Sequence, residues 1–385
     1  MFKYILLSGV YRFFCGAIIL AINWNLATSD NDNFFSLAIA VLISFIPAMF
    51  VPVLFSKLFN KYHGPFLTSL ALIGVVVSSA LLSALYTSNT MLVVINFLIW
   101  IFFFVMETTW ETWFAGLSKS YNKQDVSKYS SISMTINQVA LMSGPIAAPI
   151  IIDNFSYEAF FYLMAVTFFA ISLFSFFQKV PKVETSISRE EVRTSKKTNL
   201  YLFFSLALIW PILGSVNFML PVYVTVNRGE MINVGILDAS ISIGMALIGI
   251  VFSLLKVTTL RIRVMMAFSS IIAGFVIWWI SGYSIIFNSV AILLLGFGFG
   301  SLRIMIRYLL ARNYSTEEVA TLVSRANALS LPILGIILSV IMFSIEYTWI
   351  APFFLTIIMS ILLAISLRHE KTDDKDNKSQ ESLLA

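Results

Sequence analysis

The sequence predicts an all-α integral membrane protein, with twelve transmembrane helices in two pseudo-symmetric halves of six. Three observations support this prediction. Of the 385 residues, 59% are apolar and only 12% are charged, whereas soluble domains carry about 25% charge. The chain also contains twelve long apolar windows, and one long polar segment divides them six and six. This composition argues against a soluble enzyme, a nucleic-acid-binding protein or a secreted module.

Each apolar window is long enough to cross the hydrocarbon core, which takes about 20 helical residues. Lipid offers the backbone no hydrogen-bond partners, so we predict that each window forms a helix. The runs are too long and too uniformly apolar for barrel strands. The first run follows Met-Phe-Lys and lacks a small-residue cleavage site, so we interpret it as an uncleaved span. In chain order the windows are 4–27, 34–56, 66–86, 91–117, 129–152, 157–178, 200–224, 235–256, 264–281, 284–311, 319–343 and 348–367.

The basic residues are concentrated in alternate connections between the predicted spans. If both termini are cytoplasmic, 20 of the 25 Lys and Arg residues fall in cytoplasmic segments. The outer connections then contain only Arg228 among basic residues, together with several acidic ones. This asymmetry is the positive-inside pattern. It predicts a multi-pass protein of the cytoplasmic membrane with both termini inside.

A polar linker at the middle of the chain indicates two similar halves. The sequence Y-N-K-Q-D-V at 121–126 recurs as Y-S-T-E-E-V at 314–319, an offset of 193 residues. Both copies lie between the fourth and fifth spans of their half, which favours duplication. The last residues are densely charged, and we predict that they are disordered. The predicted segments are an N-terminal half (1–178), a cytoplasmic linker (179–199), a C-terminal half (200–367) and a cytoplasmic tail (368–385).

The fifth span contains N-Q-V-A-L-M-S-G-P-I-A-A-P at 137–149. This segment resembles the antiporter motif of drug-exporting members of the major facilitator superfamily, and the two linked six-helix halves resemble that family over essentially the whole chain. The segment F-A-G-L-S-K-S-Y-N-K-Q-D-V-S-K-Y-S at 114–130 is also similar to macrolide-efflux and siderophore-export members. The resemblance implies export rather than uptake; the alternative is simple kinking and packing of the span. The motif residues, which allow close helix approach and bending, are Gly144, Pro145, Ala147 and Ala148.

Two charged pairs lie within predicted spans at the same helical spacing. Glu107 and Glu111 share one face of the fourth span, and Arg303 and Arg307 share one face of the tenth. Their offset of 196 residues nearly equals that of the loop repeat, so the pairs are approximate symmetry counterparts. In the fold that the resemblance implies, both helices border the central cavity. We therefore predict a proton-sensitive inner gate; the alternative for Glu111 and Arg307 is structural pairing with loop charges.

Other polar residues in the spans are candidates for contact with a substrate. Arg12 in the first span is interpreted as an anion contact or a partner for Glu107, unless it extends to the cytoplasmic headgroups. Asp238 in the eighth span is either a second proton site or a hydrated residue at the outer rim. The predicted substrate cavity comprises Arg12, Asn23, Trp24, Asn137, Gln138 and Asn217.

Nothing in the sequence indicates a catalytic residue, a metal site or a cofactor. Cys15 is the single cysteine, and the only histidines, His63 and His369, fall in a loop and in the tail. No Walker motif is present, so we expect an ion gradient rather than ATP to power the protein. In the run G-F-G-F-G, Gly296 and Gly300 are interpreted as a helix-packing site.

Together these features predict a secondary active transporter, and most directly a proton-coupled exporter working by alternating access. The expected cargo is an amphipathic small molecule such as a drug, an antibiotic or a siderophore, so export would contribute to antibiotic resistance. The expected partners are this substrate, the proton and membrane lipid, with no nucleic acid, and we expect a monomer. The alternatives are an importer or lipid flippase of the same fold, or a non-transporting membrane sensor or immunity protein.

Overall fold

The computed structural model of the chain describes residues 1–29, 34–54, 62–118, 123–178, 199–254, 260–314 and 316–384. Within these ranges the regular structure consists of 14 α-helices and one 3₁₀ turn, with no strand. Eleven helical segments among the described residues are long and apolar enough to cross a membrane. A shorter apolar segment, Phe35–Val51, occupies the position of the predicted second span. The prediction of an all-α membrane fold is therefore confirmed.

The first six predicted spans correspond to seven helices, because the second span is divided in two. The division falls at Phe45 and Ile46, directly before Pro47. Proline disfavours helical geometry in the residue before it and donates no backbone hydrogen bond, so a continuous helix is interrupted there. The helices are α1 (Phe2–Ser29), α2 (Phe35–Ser44), α3 (Pro47–Leu54), α4 (Gly64–Leu85), α5 (Asn89–Ser118), α6 (Lys123–Asn154) and α7 (Tyr157–Phe176).

The remaining six spans also correspond to seven helices, since the seventh span is divided at Leu208. Pro211 explains this division, because it has no N–H to donate to the carbonyl of Ala207. Ser330 Oγ donates to that carbonyl instead, at 2.7 Å. The helices are α8 (Leu200–Ala207), α9 (Ile209–Val226), α10 (Met231–Leu254), α11 (Leu260–Ser281), α12 (Ile285–Asn313), α13 (Thr316–Met342) and α14 (Ile350–Leu384).

The last helix extends further than the sequence analysis expects. It continues past the span Ile350–Arg368 as far as Leu384, through the tail expected to be disordered. The physical reason is local: the tail contains three Lys, three Asp and two Glu but no Gly or Pro, so it holds neither of the residues that most strongly disfavour a helix. The predicted linker, by contrast, lies almost wholly outside the described residues, which resume at 199.

Contacts between residues divide the chain into two compact units that differ from the predicted halves. The first unit is Met1–Glu190 with Asn217–Ala239, and the second is Glu191–Val216 with Ser240–Ala385. The end of α9 and the start of α10 therefore group with the N-terminal spans. Close packing explains this grouping, because Gly235 of α10 lies directly against the carbonyl of Pro145 in α6.

Buried polar contacts connect helices within the first unit. Thr68 Oγ1 of α4 donates to Thr109 Oγ1 of α5 at 2.9 Å. Asn96 Nδ2 of α5 donates to the Ala40 carbonyl at 3.2 Å and to Ser44 Oγ at 3.0 Å, both in α2. Lipid does not favour apolar helix–helix contact over helix–lipid contact, so such hydrogen bonds help to fix which helices pack together.

Candidate coupling and substrate site

A single arginine–glutamate ion pair lies inside the spans of the first unit. Arg12 Nη1 of α1 contacts Glu107 Oε1 of α5, and it is the one ion pair found among the described residues. Each residue lies about 5 Å along the axis from the middle of its own helix, well within the hydrocarbon thickness. The Arg12 side chain is 23% exposed and that of Glu107 is 45% exposed. The Glu107 carboxylate is therefore paired but is not fully enclosed by protein.

Aromatic side chains hold the ion pair in position. The Tyr11 ring stacks on the Trp110 ring at 6.0 Å between centroids, and Trp110 stacks on Trp113 at 5.0 Å. The guanidinium carbon of Arg12 lies 5.7 Å from the Tyr11 centroid. All three rings are buried. Trp110 and Trp113 thus support α1 and α5 rather than lining a surface open to substrate.

The structure brings only part of the predicted gate together. Glu107 has Arg12 as its partner, one of the roles expected for that arginine. Arg303 and Arg307 are exposed side chains of α12 in the second unit, and the Arg303 guanidinium carbon lies 5.6 Å from the Phe299 centroid. The side chain of Glu111 lies outside the described residues. Opposition of the acidic and basic pairs stays a prediction.

The predicted cavity residues are dispersed over three helices of the first unit. Asn137 Oδ1 of α6 accepts a hydrogen bond from Ser8 Oγ of α1 at 2.8 Å, so this amide is already engaged. Asn23 is only 7% exposed. Among the described residues, no hydrogen bond connects the candidate amides to one another. The half-buried candidates are Arg12, Trp24, Asn137, Gln138 and Asn217.

The antiporter-like motif mediates close packing between α6 and its neighbours. A Cβ atom at Gly144 would collide with the Phe13 carbonyl oxygen and lie 2.9 Å from the Ala17 nitrogen, both in α1. A Cβ atom at Gly16 would lie 2.6 Å from the Leu141 carbonyl oxygen. This packing is the close approach predicted for the small residues of the motif. Of the other small motif residues, Ala148 is buried and Ala147 is half-buried.

The two prolines of the motif explain why glycines face α6. Pro145 has no N–H for the carbonyl of Leu141, and Pro149 has none for the carbonyl of Pro145. Gly16 lies against the first of these carbonyls, and Gly235 lies against the second. A side chain at either glycine would prevent the neighbouring helix from reaching a carbonyl oxygen that its own helix leaves without a donor.

Two further sequence interpretations can be placed. The packing role of Gly296 and Gly300 is confirmed, because both glycines lie against α10. Gly296 contacts the carbonyl of Ile241, and a Cβ atom at Gly300 would lie 3.0 Å from the Ile248 side chain. Asp238 is a half-buried residue of α10. No ion pair or hydrogen bond to its carboxylate is found among the described residues.

Sequence reasoning did not predict the interhelical hydrogen bonds, and two of them join polar residues that it did not pair. One is the Ser8–Asn137 bond in the first unit; the other joins Trp210 Nε1 of α9 to Asn327 Oδ1 of α13 at 3.0 Å in the second unit. The only signal for the first was indirect: Ser8 and Gly9 provide small side chains on α1, and Gly9 packs tightly against Ile136 of α6. Neither bond follows from spacing along the chain.

The fold and the ion pair define a multi-pass α-helical membrane protein that keeps charge inside its spans. The family model of the Major Facilitator Superfamily matches residues 4–331. The chain therefore belongs to the Major Facilitator Superfamily. As a member of this transporter family, it has a small-molecule substrate and is not an enzyme.

Solved structures of transporters share the fold at low sequence identity. A mutant of the nucleoside transporter NupG is 12% identical with a TM-score of 0.70, covering 94% of this chain and 99% of that one. The POT family transporter PepTSo is 13% identical with a TM-score of 0.64, covering 96% and 98%. A POT family transporter bound to a thioalcohol-conjugated peptide is 13% identical with a TM-score of 0.64, covering 94% and 96%. No curated protein sequence matches the chain.

Proposed function

We propose that the protein is a proton-coupled exporter of an amphipathic small molecule, working by alternating access in the cytoplasmic membrane with both termini inside. The observation that carries this proposal is the Arg12–Glu107 ion pair within the spans of the first unit. Ionisable residues inside a membrane are costly, about 3 kcal/mol each near the centre, and they commonly mark ion or proton pathways.

The chemistry of coupling follows from the two states of Glu107. Ionised Glu107 neutralises Arg12 and ties α5 to α1 through their side chains. A proton on the carboxyl removes the negative charge, so Arg12 loses its counter-ion and the connection weakens. Because the Glu107 side chain is 45% exposed, a proton can reach it without prior unfolding of the helices. Protonation therefore changes how firmly two spans are joined.

The direction of transport is inferred from the motif in α6. The Gly144–Pro145 pair and the small residues after it resemble the antiporter motif of drug-exporting family members, and this resemblance implies export. The tight contact of Gly144 with α1 agrees with a specialised packing role. Export of a toxic compound would confer resistance to it.

The test is proton-driven transport by Glu107→Gln in proteoliposomes. A pH gradient should accelerate substrate movement by the unmodified protein, whereas Glu107→Gln should move substrate only down its own gradient. Glu158→Gln is the matched control, because Glu158 is exposed in the first turn of α7. Proton-driven transport by Glu107→Gln at the unmodified rate would overturn the coupling assignment. Inward accumulation of substrate would instead favour the importer.

A further inference from the structure

Asp238 of α10 carries a carboxyl group that the coupling mechanism proposed above does not use. Among the residues that the structure describes, no ion pair and no hydrogen bond to this carboxyl is found. Glu107, by contrast, is paired with Arg12. The two carboxyl groups therefore lie in different electrostatic surroundings, although both belong to candidate membrane spans.

The structure places Asp238 deeper in its span than the sequence suggests. The apolar window of the sequence begins at 235, whereas the span in the structure is Met231–Phe252, with its middle between Ile241 and Ser242. At 1.5 Å per residue, Asp238 is about 5 Å along the axis from that point. Half of the hydrocarbon thickness is about 15 Å. This depth favours a site inside the membrane over a hydrated position at the outer rim.

Asp238 also lies away from the lipid-facing side of α10. Ile243, Leu247 and Ile250 are exposed and form the apolar face that suits contact with lipid. At about 100° per residue, the centre of this face lies roughly 150° around the axis from Asp238. Asp238 is itself half-buried. The open part of its side chain is therefore on a side of the helix that does not suit lipid.

The charged groups on the helix packed against this part of α10 are distant along the chain. One turn before Asp238, Gly235 lies directly against the carbonyl of Pro145 in α6. The charged residue of α6 nearest to this contact is Asp153, eight residues further on, or about 12 Å along the axis. It is an acid, so it cannot serve as a counter-ion for an ionised Asp238.

The neighbouring helices in the chain have few other titratable groups. Asp238 is the only charged residue of α10. The preceding helix, α9, contains no Asp, Glu, Lys or Arg, and its only titratable side chain is the phenol of Tyr223. Beyond Asp238, Ile241 of α10 lies against Gly296 of α12. The charged residues of α12 nearest to that contact are seven and eleven residues further on, at Arg303 and Arg307.

We propose that Asp238 is a second proton-binding site, whose carboxyl is protonated and neutral while Glu107 is ionised in its pair with Arg12. An unpaired negative charge inside a span is costly, and a bound proton removes that charge without requiring a basic partner. A role for this proton in transport rests on the proposed proton coupling. The protonated carboxyl itself depends on neither the cargo nor the direction of transport.

Infrared spectroscopy tests this proposal directly, because a protonated carboxyl has a C=O stretching band that an ionised carboxylate lacks. Purified full-length protein is measured at neutral pH in a detergent without ester or carboxyl groups. We expect a carboxyl band that moves to lower frequency in D₂O, since the proton exchanges with solvent. The same band should disappear as the pH is raised.

Variants assign the band to a residue. Asp238→Asn should remove it, whereas Asp238→Glu should keep it at an altered frequency. Asp153→Asn is the matched control, because Asp153 is exposed near the end of α6, and this variant should keep the band unchanged. Glu107→Gln should also keep the band, because Glu107 is ionised in the unmodified protein. Monodisperse elution shows that a variant is folded.

The outcomes separate this inference from the proposed function. Absence of the band from the unmodified protein, or its retention in folded Asp238→Asn, overturns the second proton site. If Asp238→Asn does not fold, an unaltered band frequency in Asp238→Glu overturns it instead. A band assigned to Asp238, together with proton-driven transport by Glu107→Gln at the unmodified rate, supports the second site and contradicts the coupling role of Glu107.

Discussion

At the scale of single residues, the central feature is the choice of partner for Glu107. Arg12, Arg303 and Arg307 all lie within predicted spans. The sequence alone does not show which of them pairs with Glu107. Close packing of α1 on α6 places Arg12 where its guanidinium contacts the Glu107 carboxylate. The partner of a charge inside the spans is therefore determined by how the helices rotate and pack, which spacing along the chain does not specify.

The stability of this pair gives a prediction that is independent of transport. Arg12→Gln alone should lower the free energy of unfolding by about 1–3 kcal/mol, because it leaves a carboxylate without its counter-ion inside a span. This value is below that of a fully buried pair, since Glu107 is 45% exposed and solvent screens part of the charge. Glu107→Gln added to Arg12→Gln should recover most of the loss. Thermal unfolding in detergent measures all three variants.

Additive destabilisation in that series would contradict an energetic coupling between the two residues. The double variant is the informative one, because it removes both charges while preserving side-chain volume. The single-variant result alone cannot distinguish a lost ion pair from lost packing of the Arg12 stem against Tyr11.

At the scale of helices, prolines and glycines determine how the spans of the first unit pack. In α6, Pro145 and Pro149 each leave one carbonyl without an intrahelical donor, and a glycine of another helix lies against each carbonyl. The sequence motif predicted close approach here but not which helix approaches. In the second unit, Pro211 has no N–H to donate to the Ala207 carbonyl, and the Ser330 hydroxyl donates to that carbonyl instead. The sequence thus shows which carbonyls lose their intrahelical donor at a proline, but it does not show which group of another helix lies against each carbonyl.

Alanine substitution at two glycines tests this account of helix packing. Gly144→Ala should lower the free energy of unfolding by about 1–3 kcal/mol, because the added Cβ meets backbone atoms of Phe13 and Ala17 that cannot move without separating the helices. Gly249→Ala is the control, since no atom lies within 4 Å of a Cβ there, and it should leave stability unchanged or raise it. Melting temperatures in the same detergent compare the two. Equal effects would mean that α1 and α6 are not closely packed at Gly144.

At the scale of the whole molecule, the sequence predicted the fold class because the bilayer imposes a simple rule. Every backbone group inside lipid must be satisfied within its own segment, so long apolar windows become helices. The exceptions are local: Pro47 and Pro211 divide the second and seventh spans, and charge density in the tail did not prevent α14 from reaching Leu384. Division into units was the least predictable feature, since Asn217–Ala239 groups with the N-terminal spans through tertiary contacts.

Orientation in the membrane gives a prediction for the molecule as a whole. A membrane-impermeant maleimide should label Thr87→Cys in intact cells, because the turn after α4 lies outside in the positive-inside arrangement. His63→Cys, just before α4, should react only after permeabilisation. Cys15 is 4% exposed, so the unsubstituted protein should serve as a low-background control. The reverse labelling pattern would invert the proposed topology.

Asn199, the residue that caps the start of α8, forms hydrogen bonds with three parts of the chain. Asn199 Oδ1 accepts from the backbone N–H groups of Tyr201 and Leu202, its Nδ2 donates to Ser366, and its own backbone N–H donates to the Tyr314 hydroxyl. The gene can therefore be divided ahead of this asparagine and the fragments co-expressed, since the second fragment would retain its own helix cap. A cut placed after Asn199 would remove the cap from that fragment. The start of α8 would then lose its hydrogen bonds to Asn199.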